Sequence, residues 1–202
     1  MTMRRAVSRL VALCLAATAG AALAQQQPAQ AQQAAPQPGS AEDIAQRIIS
    51  VPNPRGFAVI GAQGQIRDDA GVQGGHALRI PVPGRSDQPW SVSVSVPINR
   101  AVHAGDNLIL AFWARLETGE NGAETTVLPF NAVQLASAPY TAIFNGPLTI
   151  SHNWQIQEIR GRADRDYDAG AINVAIHLAT ARQVVDIGPV FVVNMGQSAP
   201  AN

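Results

Sequence analysis

Six side chains of this chain suit the recognition of a ligand without reaction: Trp113, Arg115, Gln134, Tyr140, Asn173 and His177. A sugar ring has an apolar C–H face and a rim of hydroxyls. A site for it needs a flat aromatic for the face and amide, imidazole or guanidinium groups for the rim. On that reading Tyr140 stacks on the ring, Gln134, Asn173, His177 and Arg115 hydrogen-bond hydroxyls, and Trp113 forms part of the floor. Each has a plainer alternative. Trp113 lies in an almost wholly apolar run and suits a core, Tyr140 after Pro139 suits a corner whose hydroxyl caps a loop, and His177 suits an ordinary hydrogen-bonded histidine. Trp90 and Trp154 read as core residues, the first because it shares parity with Val92, Val94 and Val96, the second because it precedes Ile156.

Covalent chemistry finds no such support. Hydrolysis of a glycoside needs two carboxyls across a groove, one of them held protonated by its surroundings. Glu117, Glu120 and Glu124 lie in a Gly- and Asn-containing loop with nothing apolar to raise a pKa, and read as a solvated hairpin tip. There is no Gly-x-Ser-x-Gly elbow, and the glycines at 61–64 and 74–75 lack the lysine and following helix of a phosphate loop. His76, His103 and His152 show no metal spacing. Asp164, Asp166 and Asp168 alternate like calcium ligands, but Gly170 comes one place late for an EF-hand and Ala175 stands where its last carboxylate belongs. That stretch reads as a solvated turn, with a looser calcium loop as the alternative. The chain is not expected to be an enzyme.

The elements that must carry these residues follow from composition and pattern. The chain has 202 residues, 47% hydrophobic and 14% charged, with formal charge +0, the balance of an ordinary globular protein. All 14 basic residues are arginine and none form a stripe, which argues against nucleic acid. Arg4, Arg5 and Arg9, an apolar run over 10–22 and Ala22-Leu23-Ala24 make residues 1–24 a secretory signal peptide. The run of about 15 apolar residues is too short for a membrane span. The exported chain, expected in the periplasm or outside the cell, holds 14 acidic residues against 11 basic once those three arginines are removed. Its only cysteine, Cys14, leaves with the signal, so no disulfide can form.

Residues 25–39 are Gln, Ala and Pro with little to bury, a linker. Over 41–49, Ser40 as N-cap and Ile44, Ile48 and Ile49 at helical spacing predict one short helix, ended by Pro52 and Pro54. Beyond it, short β-rich runs alternate with Gly, Pro, Asn and Asp: 56–60, 76–82, 90–96, 108–116, 125–135, 154–160, 171–178, 184–187 and 190–195. The fold class is therefore all-β, an antiparallel two-sheet jelly-roll sandwich over 40–196 with one N-terminal helix and a flexible tail at 197–202. Period-two alternation turns Ile172, Val174, Ile176 and Leu178 inward and leaves Asn173 and His177 outside; Gln134 faces out between Val133 and Leu135. The 108–116 strand is apolar on both faces as far as Arg115, so Trp113 and Arg115 share a second face that is covered or floors a groove.

The order Gly105-Asp106-Asn107-Leu108, Phe112-Trp113-Ala114-Arg115, Val133-Gln134-Leu135 with Pro139-Tyr140, Trp154-Gln155, and His177-Leu178 with 185–190 (VDIGPV) resembles the carbohydrate-binding modules of families 4 and 9. The resemblance spans about 85–196. It implies a galactose-binding-like jelly roll that binds β-glucans, xylan or related polysaccharides in a groove across one sheet, without chemistry and in the company of secreted glycoside hydrolases. It requires no cofactor. It also implies a structural calcium near the terminal strands, for which Asp186 is the acidic residue placed to serve. Two other readings stay open: an envelope structural or protein-interaction sandwich without sugar binding, and a small glycoside hydrolase.

Overall fold

The computed structural model describes Gln37 and residues 39–197; the segment read as a signal peptide, nearly all of that read as a linker and most of that read as a tail lie outside the described residues. Among the described residues ten strands form two five-stranded antiparallel sheets. The first has the order β1-β4-β9-β6-β7, with β1 Ala58–Ile60, β4 Ser93–Pro97, β9 Ile172–His177, β6 Thr125–Leu135 and β7 Ala142–Ser151. The second has the order β2-β3-β10-β5-β8, with β2 Gln65–Asp68, β3 His76–Val82, β10 Gln183–Asn194, β5 Asn107–Thr118 and β8 Gln155–Arg162. This is the expected jelly-roll sandwich. Among the described residues no helix is long and apolar enough to cross a membrane.

The alternation read from sequence sets the core. Ile172, Val174, Ile176 and Leu178 are buried, as are Leu108, Leu110, Phe112, Ala114 and Leu116 from the facing sheet. Each fully buried large aliphatic or Phe side chain contributes about 1.5–3 kcal/mol relative to leaving it in water. The helix α1 spans Ala41–Gln46, where the Ser40 side chain accepts from the Asp43 amide and Glu42 and Asp43 oppose the dipole. It stops before Ile48 and Ile49, because Ile48 bridges to Val193 and Ile49 donates to Val192 along β10. The prolines at 52 and 54 do not end it.

Three further differences from the sequence pattern have local causes. Strand β2 carries one apolar residue, Ile66, and is held by main-chain pairing to β3, a force that periodicity does not record. Strand β7 contains Gly146 and Pro147, which hid it, but it is an edge strand and an edge tolerates proline. The runs 184–187 and 190–195 are one strand, β10, broken in register between Ile187 and Val190 at Gly188-Pro189. There the buried Ser50 hydroxyl donates to the Val190 carbonyl and accepts from the Val192 amide, satisfying the bulge.

Candidate functional site

Cross-strand register carries polar and small side chains onto the outer face of the first sheet. Ser93 stands opposite His177, Ser95 opposite Ala175, Ala132 opposite Ala175 and Gln134 opposite Asn173. The Asn173 amide donates to the Ser95 hydroxyl at 2.8 Å, while its Oδ1 is buried without a partner. Gln134 is only 8% exposed. A floor of polar and small side chains four residue steps long, ~13 Å at the rise of a strand, thus runs between the His177 and Asn173 rows.

Aromatic residues stand around this floor. Phe130 stacks on His177 with ring centroids 4.4 Å apart, and Trp90 leans on the same imidazole at 6.2 Å. Tyr140 stands beyond Gln134 with a left-handed backbone, φ 55°, an uncommon conformation for a bulky residue that leaves its ring 56% exposed. Together they enclose a groove of about 810 Å³, inside the range of ligand sites. None of its lining residues is Asp, Glu, Lys or Arg. His177 is neutral too, because burial between the two aromatics pushes its imidazole down to about 4.

Neutral His177 has a consequence for pH. Above the ordinary value of 6.5 both folded and unfolded chains carry a neutral ring, and stability does not depend on this group. As pH falls from 6.5 towards 4 the unfolded chain takes up a proton that the folded one refuses, so stability is lost across that window. An NMR titration of the His177 ring is expected to show its midpoint near 4. A midpoint at the ordinary value would mean that the sandwich of rings is open in solution.

Four of the six predicted site residues, Gln134, Tyr140, Asn173 and His177, line this one groove. Trp113 and Arg115 do not. Their shared second face was correctly read, but β5 belongs to the other sheet and that face looks away from the groove. The Trp113 indole donates to Gln73 Oε1 at 3.2 Å, and Arg115 binds Asp186 and lies over the Trp154 ring. Asp186, the implied calcium ligand, is fully buried and both its oxygens accept from guanidinium groups, so it does not fit a cation. In the 164–170 stretch, Asp164 accepts from the Tyr167 hydroxyl and Asp166 from the Ala104 amide, so both carboxylates already have protein donors. Among the described residues no group of three or more His, Cys, Asp or Glu is placed to hold a metal.

Trp90 and Phe130 were missed. Parity put Trp90 in the core, yet it is 53% exposed, because residues 89–91 form a 3-10 turn and the strand begins only at Ser93. Phe130 lies within the register shift between Leu128 and Asn131. A signal did exist. The chain contains three proline–aromatic pairs, Pro89-Trp90, Pro129-Phe130 and Pro139-Tyr140, and all three line the groove. Proline has no N–H for a ladder and restricts the residue before it, so the aromatic that follows leaves the strand's alternation.

The two-sheet jelly-roll fold of this chain is shared by solved carbohydrate-binding modules. A structure described as a CBM4 aligns over 70% of this chain and 96% of its own, with 20% identity and a TM-score of 0.53. An arabinose-bound α-L-arabinofuranosidase, MgGH51, aligns over 73% of this chain and 25% of its own, with 14% identity and a TM-score of 0.53. The CBM22-1–GH10 modules of Clostridium thermocellum endo-1,4-β-D-xylanase 10B, complexed with xylohexaose, align over 74% of this chain and 29% of their own, with 11% identity and a TM-score of 0.52. No family model matches the sequence, and no curated protein matches it.

Proposed function

We propose that this chain is an exported, non-catalytic module that binds a neutral polysaccharide of the β-glucan or xylan type and works beside secreted glycoside hydrolases. The observation that carries this reading is the groove's lining: aromatic rings at both ends, the amides of Gln134 and Asn173 on the floor with Asn173 Oδ1 unpartnered, and no charged residue anywhere in it. Rings bind the C–H faces of sugars and amides their hydroxyls, whereas a uronic acid would bury its carboxylate without a counter-charge. The same lining supplies no carboxylate pair for hydrolysis. In the solved xylanase a CBM22-1 module is joined to a GH10 module, which supports the association.

Affinity electrophoresis of the chain through gels containing xylan, mixed-linkage β-glucan or pectate tests this. Retardation is expected in a neutral polymer, none in pectate, and no reducing sugar is released. Free migration through every neutral gel would sink the proposal and leave a protein-interaction module as the better reading.

A further inference from the structure

Across the outer face of the second sheet, three strands place charges side by side. Register sets Arg79 of β3 and Arg115 of β5 directly on either side of Asp186 of β10. Arg79 Nε and Nη2 donate to the two oxygens of Asp186 at 2.8 and 2.9 Å, and Arg115 Nε donates at 3.0 Å. Arg67 Nη1 of β2 stands 3.8 Å away. Glu117 accepts from Arg79 and Arg115 at 2.5 and 2.9 Å. Asp69 accepts from Arg115 at 3.1 Å, and Gln73 from Trp113, which draws the 69–75 segment over this face. Gly188 admits that segment, since a Cβ there would meet Val72 at 2.6 Å and Trp113 at 2.9 Å.

We infer that this arginine–carboxylate row takes the place of a divalent cation, so that guanidinium groups brace the second sheet and pin the 69–75 segment to it without calcium. Calcium requires six to eight oxygen ligands. Here the oxygens of Asp186 are already bonded, and a dication beside them would face three guanidinium groups. The cluster balances itself: Arg67, Arg79 and Arg115 against Asp69, Glu117 and Asp186 leave no net negative charge to draw a cation.

Thermal melting of the full chain with a calcium chelator and with millimolar calcium tests this. The two melting temperatures are expected to coincide. Asp186→Asn removes the one fully buried carboxylate of the row and with it a charged partner of Arg79 and Arg115, and is expected to lower the melting temperature by about 10 °C, with no recovery on adding calcium. Should that variant fail to fold, Glu117→Gln, at a half-exposed member of the row, is expected to melt a few degrees lower and to speed hydrogen exchange at the Gly71, Val72 and Gly75 amides. A rise in melting temperature with calcium in the unaltered chain overturns the inference. So does Glu117→Gln with unchanged melting and exchange.

Discussion

Trp90→Ala is expected to weaken polysaccharide binding about 30-fold, the ~2 kcal/mol of a buried aromatic anchor, while barely moving the melting temperature. The two effects separate because Trp90 belongs to the groove wall; it is 53% exposed and its ring leans on His177. Removing it also readmits water to the imidazole, whose midpoint should climb from about 4 towards the ordinary value. Titration calorimetry with an oligosaccharide of the retarding polymer measures the first effect and ring NMR the second. Gly61→Ala should imitate the binding loss from a distance. Gly61 sits at φ 72° against the Ser91 carbonyl, where a Cβ would overlap the oxygen and push the 89–91 turn away from the groove. If Trp90→Ala binds like the unaltered chain, the tryptophan wall is not part of the site, and Tyr140 would have to carry the stacking alone.

Asn131→Ala should cost about 3 kcal/mol of stability and some binding with it. Asn131 is fully buried, and its amide nitrogen donates to the Leu128 carbonyl at 2.9 Å and the Gly146 carbonyl at 3.0 Å. Those two bonds close the bulge where the β6–β7 register shifts, and the bulge turns Phe130 out of the strand onto His177. Alanine leaves a cavity and two carbonyls without their donor. For a domain of this size a loss of that order lowers the melting temperature by roughly 6–12 °C. Denaturant unfolding followed by calorimetry with the oligosaccharide reads both consequences. Unchanged stability would show that water replaces the amide without loss, and the bulge would then need no side chain to hold it.

The sandwich was legible in the chain because each inward position repeats at period two. Val92, Val94 and Val96, or Ile172, Val174 and Ile176, are buried by pleat geometry alone, and the outward placement of Gln134, Asn173 and His177 follows from the same parity. Tyr140 was legible only as a flat ring suited to a sugar's face, and the left-handed backbone that turns it out came only with the fold. Parity failed where a strand had not begun, at Trp90, and where it was interrupted, at Phe130. The proline before each of them marked the break.

What the sequence by itself determined was which residues point in and which point out along each strand, since that is a property of neighbouring residues. Which outward faces meet is a property of residues far apart in the chain. Trp113 and Arg115 share the outward parity of Gln134 and Asn173, yet they lie on the opposite sheet, and only the strand orders β1-β4-β9-β6-β7 and β2-β3-β10-β5-β8 separate the two sets. The same pairing laid Asp186 between Arg79 and Arg115, 107 and 71 residues away along the chain. An alternating pattern is unchanged by the choice of sheet partner, so the tertiary structure alone decided where the groove lies and what answers the buried carboxylate.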